Sequence, residues 1–431
     1  MTSNVRAVTY RRRVVDTELD DLVEGGLAAI SIEGAKAVGK SATAAERADA
    51  VFLLEQPDTR QLLEADHGRL FSGQSVLIDE WQQMPSLWDV VRRAVDAGAS
   101  PGQFILTGSA SAPRPGTHSG AGRIVSVRMR PMTLAERGVE EPSVSLAGLL
   151  SGDRPHITGQ TQVGLSDYVN EIVGSGFPAI RAAGARARRA QLDGYITRII
   201  DHDFPDTFDR KVRNPSALRR WITAYAAATA TCASFERLRD AATSGEGDKP
   251  AKTTVQPYRD ILENLYVFDP LPAWLPTQNH IAELAQAPKH HLVDPALAVS
   301  LLGLDAGALL AGERGSPVMP RDGPFLGALF ESLALLQLRV FAQASEARCG
   351  HLRTHRGEHE VDVIVERHDG KVLAVEMKLS AAVDDDDVEH LTWLAGKIGD
   401  DLLDAVVITT GQHAYRRRDG IAVVPAALLG P

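Results

Sequence analysis

The run Gly34-Ala35-Lys36-Ala37-Val38-Gly39-Lys40-Ser41 constrains this 431-residue chain more than any other feature. It matches G-x-x-x-x-G-K-[ST] and stands directly after an apolar run, 28–33, and before a helix-forming one. A loop of this kind needs a strand that stops abruptly and a helix that starts at once, so it commits its surroundings to an α/β fold. Its glycines let the backbone approach phosphate oxygens, and its amides supply positive potential. Lys40 is suited to reach β- and γ-phosphates and Ser41 to ligate magnesium, with Gly34, Ala35, Lys36, Ala37, Val38, Gly39 and Ala42 lining a nucleotide. ATP and Mg2+ are the cofactors implied.

The neighbouring sequence supplies a second half for such a site. Short β-branched runs at 28–33, 51–54, 76–79, 104–107 and 124–127 alternate with helix-like segments, the pattern of a parallel sheet covered on both faces. The third run ends in Asp79-Glu80, where a parallel sheet opens its ligand crevice. Asp79 is the expected magnesium ligand and Glu80 the group that polarises water for attack on a γ-phosphate. The fourth run ends in Thr107-Gly108-Ser109, whose hydroxyls suit phosphate sensing or water orientation. Arg123, after the 112–122 stretch, is a candidate arginine finger acting in cis or in trans; the second mode requires a homo-oligomer.

These residues resemble the prokaryotic AAA-superfamily ATPases that carry a C-terminal domain of uncertain function. The resemblance rests on the loop, Val76-Leu77-Ile78-Asp79-Glu80-Trp81-Gln82, Phe104-Ile105-Leu106-Thr107-Gly108-Ser109 and Gly122-Arg123. It continues through Gly174-Ser175-Gly176-Phe177-Pro178 and Tyr195-Ile196-Thr197-Arg198-Ile199-Ile200-Asp201-His202-Asp203, so nearly the whole chain is covered. The loop departs from the family's usual pattern, with Ala35-Lys36 in place of Pro-Arg and Ser41 in place of Thr. Lys36 keeps a cation and Ser41 keeps the hydroxyl.

Composition bounds the remainder. Hydrophobic residues are 44% and charged residues 24%, the balance of a chain that buries real cores. Lys plus Arg is 46 against 56 Asp plus Glu, a formal charge of −10, which excludes nucleic-acid binding through overall charge. Cys232 and Cys349, with no Cys-x-x-Cys pair, exclude a disulfide framework and fit a reducing cytoplasm. Neither 296–310 nor 221–233 reaches the ~18 uninterrupted apolar positions of a membrane span, so no membrane is expected.

Residues 139–164, rich in Gly, Pro and Ser, read as a linker after an AAA-like domain over 1–138. Residues 165–304 read as helical, interrupted by a flexible insert at 244–252. Within them 221–268 resembles a winged helix-turn-helix, again as in the family. Its last helix carries Arg259 beside Asp260 and Glu263, with Pro257 in the first turn, too few donors for groove reading; packing or protein interaction fits better.

Residues 305–431 form the third part, in which a helix over 326–341 precedes strands at 360–365, 372–377 and 405–409. Asp362 begins one strand, and Glu376 and Lys378 share a face of the next. Two carboxylates so placed suit Mg2+, and the lysine suits activation of water. With Glu331 on the preceding helix as auxiliary acid, the set resembles the PD-(D/E)xK core of restriction-type nucleases. Against cleavage stands a charge of −6 from Arg321 onward, which repels DNA. The Asp384–Asp387 run reads as a helix start, and His290-His291 as structural.

The expected molecule is therefore α/β: a P-loop AAA-like parallel sheet flanked by helices, a helical and winged-helix middle, and a restriction-endonuclease-like α/β tail. Its expected activity is Mg2+-dependent ATP hydrolysis coupled to a tail that binds DNA, RNA or a protein partner. A nucleotide-gated nuclease and a non-catalytic ATP-dependent switch are the alternatives.

Overall fold

The computed structural model describes residues 10–71, 73–109, 120–203, 214–243, 252–274, 287–312, 325–354 and 357–431. Most of the 112–122 stretch and of the 244–252 insert lies outside them. The chain divides into two compact units, one of residues 1–130 with Leu262–Val267, the other of 131–261 with 268–431.

In the first unit, strands β1 (Ala29–Glu33), β2 (Ala50–Leu53), β3 (Val76–Asp79), β4 (Phe104–Gly108) and β5 (Val125–Arg128) form one parallel sheet in the order β2-β3-β4-β1-β5. The central strands β3 and β4 are buried at every position, as expected where helices cover both faces. On one face Ala29, Val76, Ile78, Phe104 and Leu106 pack against Leu87, Val90 and Val91 of the helix Ser86–Asp96. Each such buried aliphatic side chain contributes about 1.5–3 kcal/mol. The chain leaves β1 toward β2 on one side and leaves β4 toward β5 on the other. The strand order thus reverses between the neighbours β1 and β4, and an open α/β sheet presents its ligand crevice at the C-terminal ends of such a pair.

Residues 262–267, expected within the middle domain, belong to this first unit. There the Tyr266 hydroxyl donates to Glu33 Oε2 at 2.5 Å, and the Arg128 guanidinium lies 4.8 Å from the Tyr266 ring centre.

The second unit is built on a seven-stranded mixed sheet. Its strands are β7 (Gly159–Gln160), β8 (Arg348–Arg353), β9 (Glu360–Glu366), β10 (Val372–Lys378), β11 (Leu402–Thr409), β12 (His413–Arg416) and β13 (Ala422–Pro425), in the order β7-β12-β13-β11-β10-β9-β8. β8, β9 and β10 form an antiparallel meander, and β11 lies parallel to β10. The helix Phe325–Ala344 is long and apolar enough to cross a membrane by length and composition, but 72% of its most apolar stretch is buried in the unit, which makes it a core helix. The strands β8, β12 and β13 have no counterpart among the sequence expectations; they are short or carry charged residues that break a clean alternation.

Where a linker is expected, residues 139–164 are ordered. They contribute β6 (Val144–Ser145), which pairs in parallel with β14 (Leu429–Gly430), the helix Leu146–Leu150, and β7, which pairs with β12. Two-residue strands have no periodicity to read, and their partners lie about 270 positions away, so composition alone leaves them invisible.

Contacts also cross the expected boundary near 304. Arg339 is ion-paired with Asp269 at 2.9 Å and donates to its carbonyl, and the Ala427 amide donates to the Tyr168 hydroxyl at 3.0 Å.

The Gly174–Pro178 motif has a structural explanation inside this unit. Asp294, fully buried, accepts from Ser175 Oγ (2.9 Å), the Gly176 amide (2.6 Å) and the Ala296 amide (2.8 Å), so one carboxylate caps the helix Pro295–Leu301 and holds the motif. Removing it strands three donors, and Asp294→Ala is expected to cost about 2–4 kcal/mol. Scanning calorimetry should show the transition of the second unit falling by several degrees, with the first unit's transition unmoved.

Candidate functional site

The loop after β1 is held in place by its surroundings. A Cβ at Gly34 would meet the Met129 carbonyl oxygen at 2.2 Å, so only glycine allows β1 to pass β5 this closely. Gly39, at φ 108°, takes a left-handed turn from which the helix Lys40–Ala45 begins. Arg13 donates to the Val38 carbonyl at 3.0 Å and to the Arg130 carbonyl at 2.9 Å, tying the loop's far limb to the segment just after β5. Asp16, almost fully buried, orders that arrangement: it accepts from the Arg13 amide, the Tyr10 hydroxyl and Arg47. This support from the N-terminal helix Val14–Glu24 has no motif, and sequence reading alone passes over it.

Lys40 folds back over the loop. Its ammonium donates to the Gly34 carbonyl at 2.8 Å and to the Ala35 carbonyl at 3.0 Å. Burial pulls its pKa down to about 8, opposed by the carboxylates of Glu80 and Asp79 and assisted by Lys36. An ammonium has three donors, so two are held by the loop and one remains for a phosphate oxygen.

The strand-end residues converge as the sequence suggests. Ser41 Oγ donates to Asp79 Oδ1 at 2.6 Å, and Thr107 Oγ1 donates to the same oxygen at 2.5 Å. Thr107 also accepts from the Glu80 amide at 3.2 Å. Ser109 Oγ donates to Glu80 Oε2 at 2.8 Å, and Gln82 Nε2 donates to both Glu80 Oε2 and Ser109 Oγ. Glu80 itself has φ 55° and ψ 51°, a left-handed conformation that costs a non-glycine residue on the order of 1–3 kcal/mol. The turn directs its carboxylate along the end of β4 toward Ser109. Gln82 is a member of this network that the strand pattern does not single out.

Hydroxyl and carboxylate oxygens 2.6 Å apart, with the loop beside them, are a donor set that suits a small hard cation. Such an ion keeps several waters and phosphate oxygens as ligands, so a protein share of two oxygens is sufficient.

Arg123 does not join these residues. β5 runs parallel to β1 with Val125 beside Ile30 and Arg128 beside Glu33, which leaves Arg123 before the strand, at the sheet edge opposite the loop, about 16 Å along the strand direction. Its Nε donates to Asp96 at 2.9 Å on an exposed surface. A role in cis is thereby excluded by strand direction.

The second cluster lies in the other unit. Asp362, Glu331, Glu376 and Lys378 come together, as the sequence suggests, but Asp362 and Glu331 meet on a residue it does not nominate. Lys289 Nζ lies 2.9 Å from Asp362 Oδ1, 3.2 Å from Glu331 Oε1 and 3.0 Å from Glu360 Oε1. Lys378 Nζ is 3.6 Å from Glu376 and 3.7 Å from Asp387. Burial pushes Glu331 up to about 8 despite Lys289, and burial with the nearby Asp362 pushes Glu376 well above the ordinary carboxylate range. Burial would raise Asp362 as well, but Lys289 and the Met377 amide outweigh it and hold Asp362 below its usual value. Glu360, two positions before Asp362 on β9, was recoverable from alternation. Lys289, between Pro288 and His290-His291, offers no periodic signal. The two histidines are buried, with their pKa values lowered by desolvation, as structural residues are.

Comparison with known proteins bears on the first site. Residues 28–137 match the model of an AAA domain. The match supports a P-loop ATPase-type domain in the first unit and ATP binding by it. Residues 165–308 match a domain of unknown function (DUF8612), and residues 326–429 another (DUF4143). Two mycobacterial proteins described as uncharacterized, from Mycobacterium tuberculosis and Mycobacterium bovis, are each 27% identical over 398 residues, 90% of this chain and 76% of theirs. The Walker-type ATPase of Pyrococcus abyssi is similar at 14% identity and a TM-score of 0.35, over 66% of this chain and 94% of that one.

Two outcomes follow from this geometry. Phosphate binds the charged form of Lys40, and the free site loses that charge as pH rises through about 8, so ATP affinity should be level below 8 and fall above it, by up to about tenfold per pH unit. Titration of a fluorescent ATP analogue at pH 7, 8 and 9 measures it. Arg123→Ala should leave ATP affinity of dilute protein within about twofold of wild type, because an exposed ion pair is worth little.

Proposed function

We propose that this chain is a magnesium-dependent ATPase whose P-loop domain drives a C-terminal region that binds a macromolecular partner. The observation that carries the reading is the convergence of Lys40, Ser41, Asp79, Glu80, Thr107 and Ser109 at the β1/β4 crevice. Gly34 to Ala42 form the phosphate cradle, with Lys40 giving its remaining donor to the β- and γ-phosphates. Ser41 and Asp79 hold magnesium, which when bound neutralises charge developing on the phosphates. Glu80, oriented by Ser109 and Gln82, accepts a hydrogen bond from water and draws its proton as that water attacks the γ-phosphorus, the bond to the β–γ bridging oxygen breaking so that ADP and phosphate are formed. Thr107, bonded to Asp79 and to the Glu80 amide, links the metal-side and water-side groups and registers whether the γ-phosphate is present. A positive charge from Arg123 reaches the transition state only from a second copy of the chain.

The C-terminal region is read as restriction-endonuclease-like. The sequence of helix Phe325–Ala344, antiparallel β8, β9 and β10, helix Glu389–Ile398 and parallel β11 supports it, as does the meeting of Glu331, Asp362, Glu376 and Lys378. The middle is read as winged-helix-like, supported by helices Pro215–Ala227, Phe235–Ala241 and Lys252–Asn264 followed by antiparallel bridges Phe268 to Leu292 and Leu271 to Lys289. Its helices serve packing or a protein partner, with DNA or RNA reserved to the tail.

Substitutions separate binding from turnover. Lys40→Ala should weaken ATP binding by about 10- to 150-fold, the worth of a hydrogen bond from a charged donor. Glu80→Gln should bind ATP as wild type does and release phosphate about 10²- to 10⁴-fold more slowly. Equilibrium binding and a phosphate-release assay measure the two effects, and undiminished binding by Lys40→Ala would overturn the assignment.

A further inference from the structure

The four-residue resemblance to restriction-type nucleases implies a divalent metal between Asp362 and Glu376, and the arrangement around them does not suit one. A lysine side chain stands at the centre of the carboxylates. Lys289 has three N–H donors, and three carboxylates, Asp362, Glu331 and Glu360, lie at 2.9, 3.2 and 3.0 Å from its nitrogen. It donates hydrogen bonds to Asp362 and Glu331 and is ion-paired with Glu360. The second oxygen of Asp362 accepts from the Met377 amide at 3.0 Å, so both oxygens of the expected principal ligand are already engaged. Among the described residues no group of three or more His, Cys, Asp or Glu is arranged to hold a metal.

The lysine is also fixed there. Its own amide and carbonyl pair with Leu271 at 2.9 Å each, and the next residue, His290, pairs with Thr231 and Ala230. His290 packs against Tyr225 and Phe235, and Tyr225 stacks on Phe268 with ring centres 3.7 Å apart. The Lys289 side chain is 2% exposed, too enclosed for its head to reach water. For a metal to enter, the ammonium would have to leave its three acidic partners with no solvent to receive it, which a buried charge resists.

We infer that Lys289 is a built-in cation in the position of the catalytic metal, so that the C-terminal domain keeps a nuclease-like set of carboxylates and cuts no nucleic acid. The inference rests on the Lys289 cluster and is independent of the ATPase reading.

The test is Mn2+ binding to the nucleotide-free full-length protein, followed by the loss of the free-ion paramagnetic resonance signal, beside cleavage assays on DNA and RNA with Mn2+ or Mg2+. Wild type and Asp362→Asn should bind Mn2+ alike, and wild type should cleave neither polymer. Lys289→Ala should gain a site at least tenfold tighter than any in wild type, and Lys289→Ala/Asp362→Asn should lose it. Mn2+ bound by wild type and abolished by Asp362→Asn would overturn the inference. Metal-dependent cleavage removed by Glu376→Gln would do the same, as would a folded Lys289→Ala protein that gains no site. Should Lys289→Ala fail to fold, the wild-type comparison with Asp362→Asn decides.

Discussion

One carboxylate oxygen connects the parts of the nucleotide site. Asp79 Oδ1 accepts from Ser41, in the first turn of the helix that follows the loop after β1, and from Thr107, near the end of β4, while its own residue ends β3. Three adjacent strand ends are thus gathered on one atom of a buried side chain. The sheet order is what makes this meeting available, because β3, β4 and β1 are consecutive neighbours although they are far apart in sequence. Loss of this atom's acceptor role would free the Ser41 side chain and the Thr107 hydroxyl together, and with them the turn that presents Glu80.

The two units treat buried lysines in opposite ways. Lys40 is bonded mostly to backbone carbonyls, keeps a donor in reserve and has a pKa pulled down by burial, the state of a group waiting for an anion. Lys289 donates to Asp362 and Glu331 and is ion-paired with Glu360, and these acidic neighbours raise its pKa well above the usual value against the effect of burial. A lysine in the first condition is a receptor for phosphate. In the second it is the centre of a closed ion cluster, and the difference is carried by what surrounds each ammonium rather than by how deeply it is buried.

Much of the first unit was legible because its signals are local. The five strand runs lie within one or two residues of the observed β1 to β5, and the loop, Asp79, Glu80, Thr107 and Ser109 come from strand ends that the apolar pattern marks. The place of Arg123 was not legible because proximity in sequence to a strand says nothing of which end of the sheet it lies at; strand direction decides that, and it puts Arg123 at the end away from the loop. The ordered 139–164 segment and the grouping of 131–261 with the tail depend on pairings between distant residues, such as Gln160 with His413, which no window of sequence contains. Lys289 is the clearest case. Its neighbours on the chain suggest a buried structural strand, and only the folded contacts bring it to Glu331, Glu360 and Asp362.

The central claim is that the Asp79-centred crevice binds ATP with magnesium and turns it over. Single-turnover release of phosphate from ATP by the full-length protein, with Mg2+ and then with Mg2+ chelated, tests it most directly. Phosphate release that requires Mg2+ is the predicted result. Release that survives chelation, or ATP that binds with Mg2+ and yields no phosphate, would contradict the account.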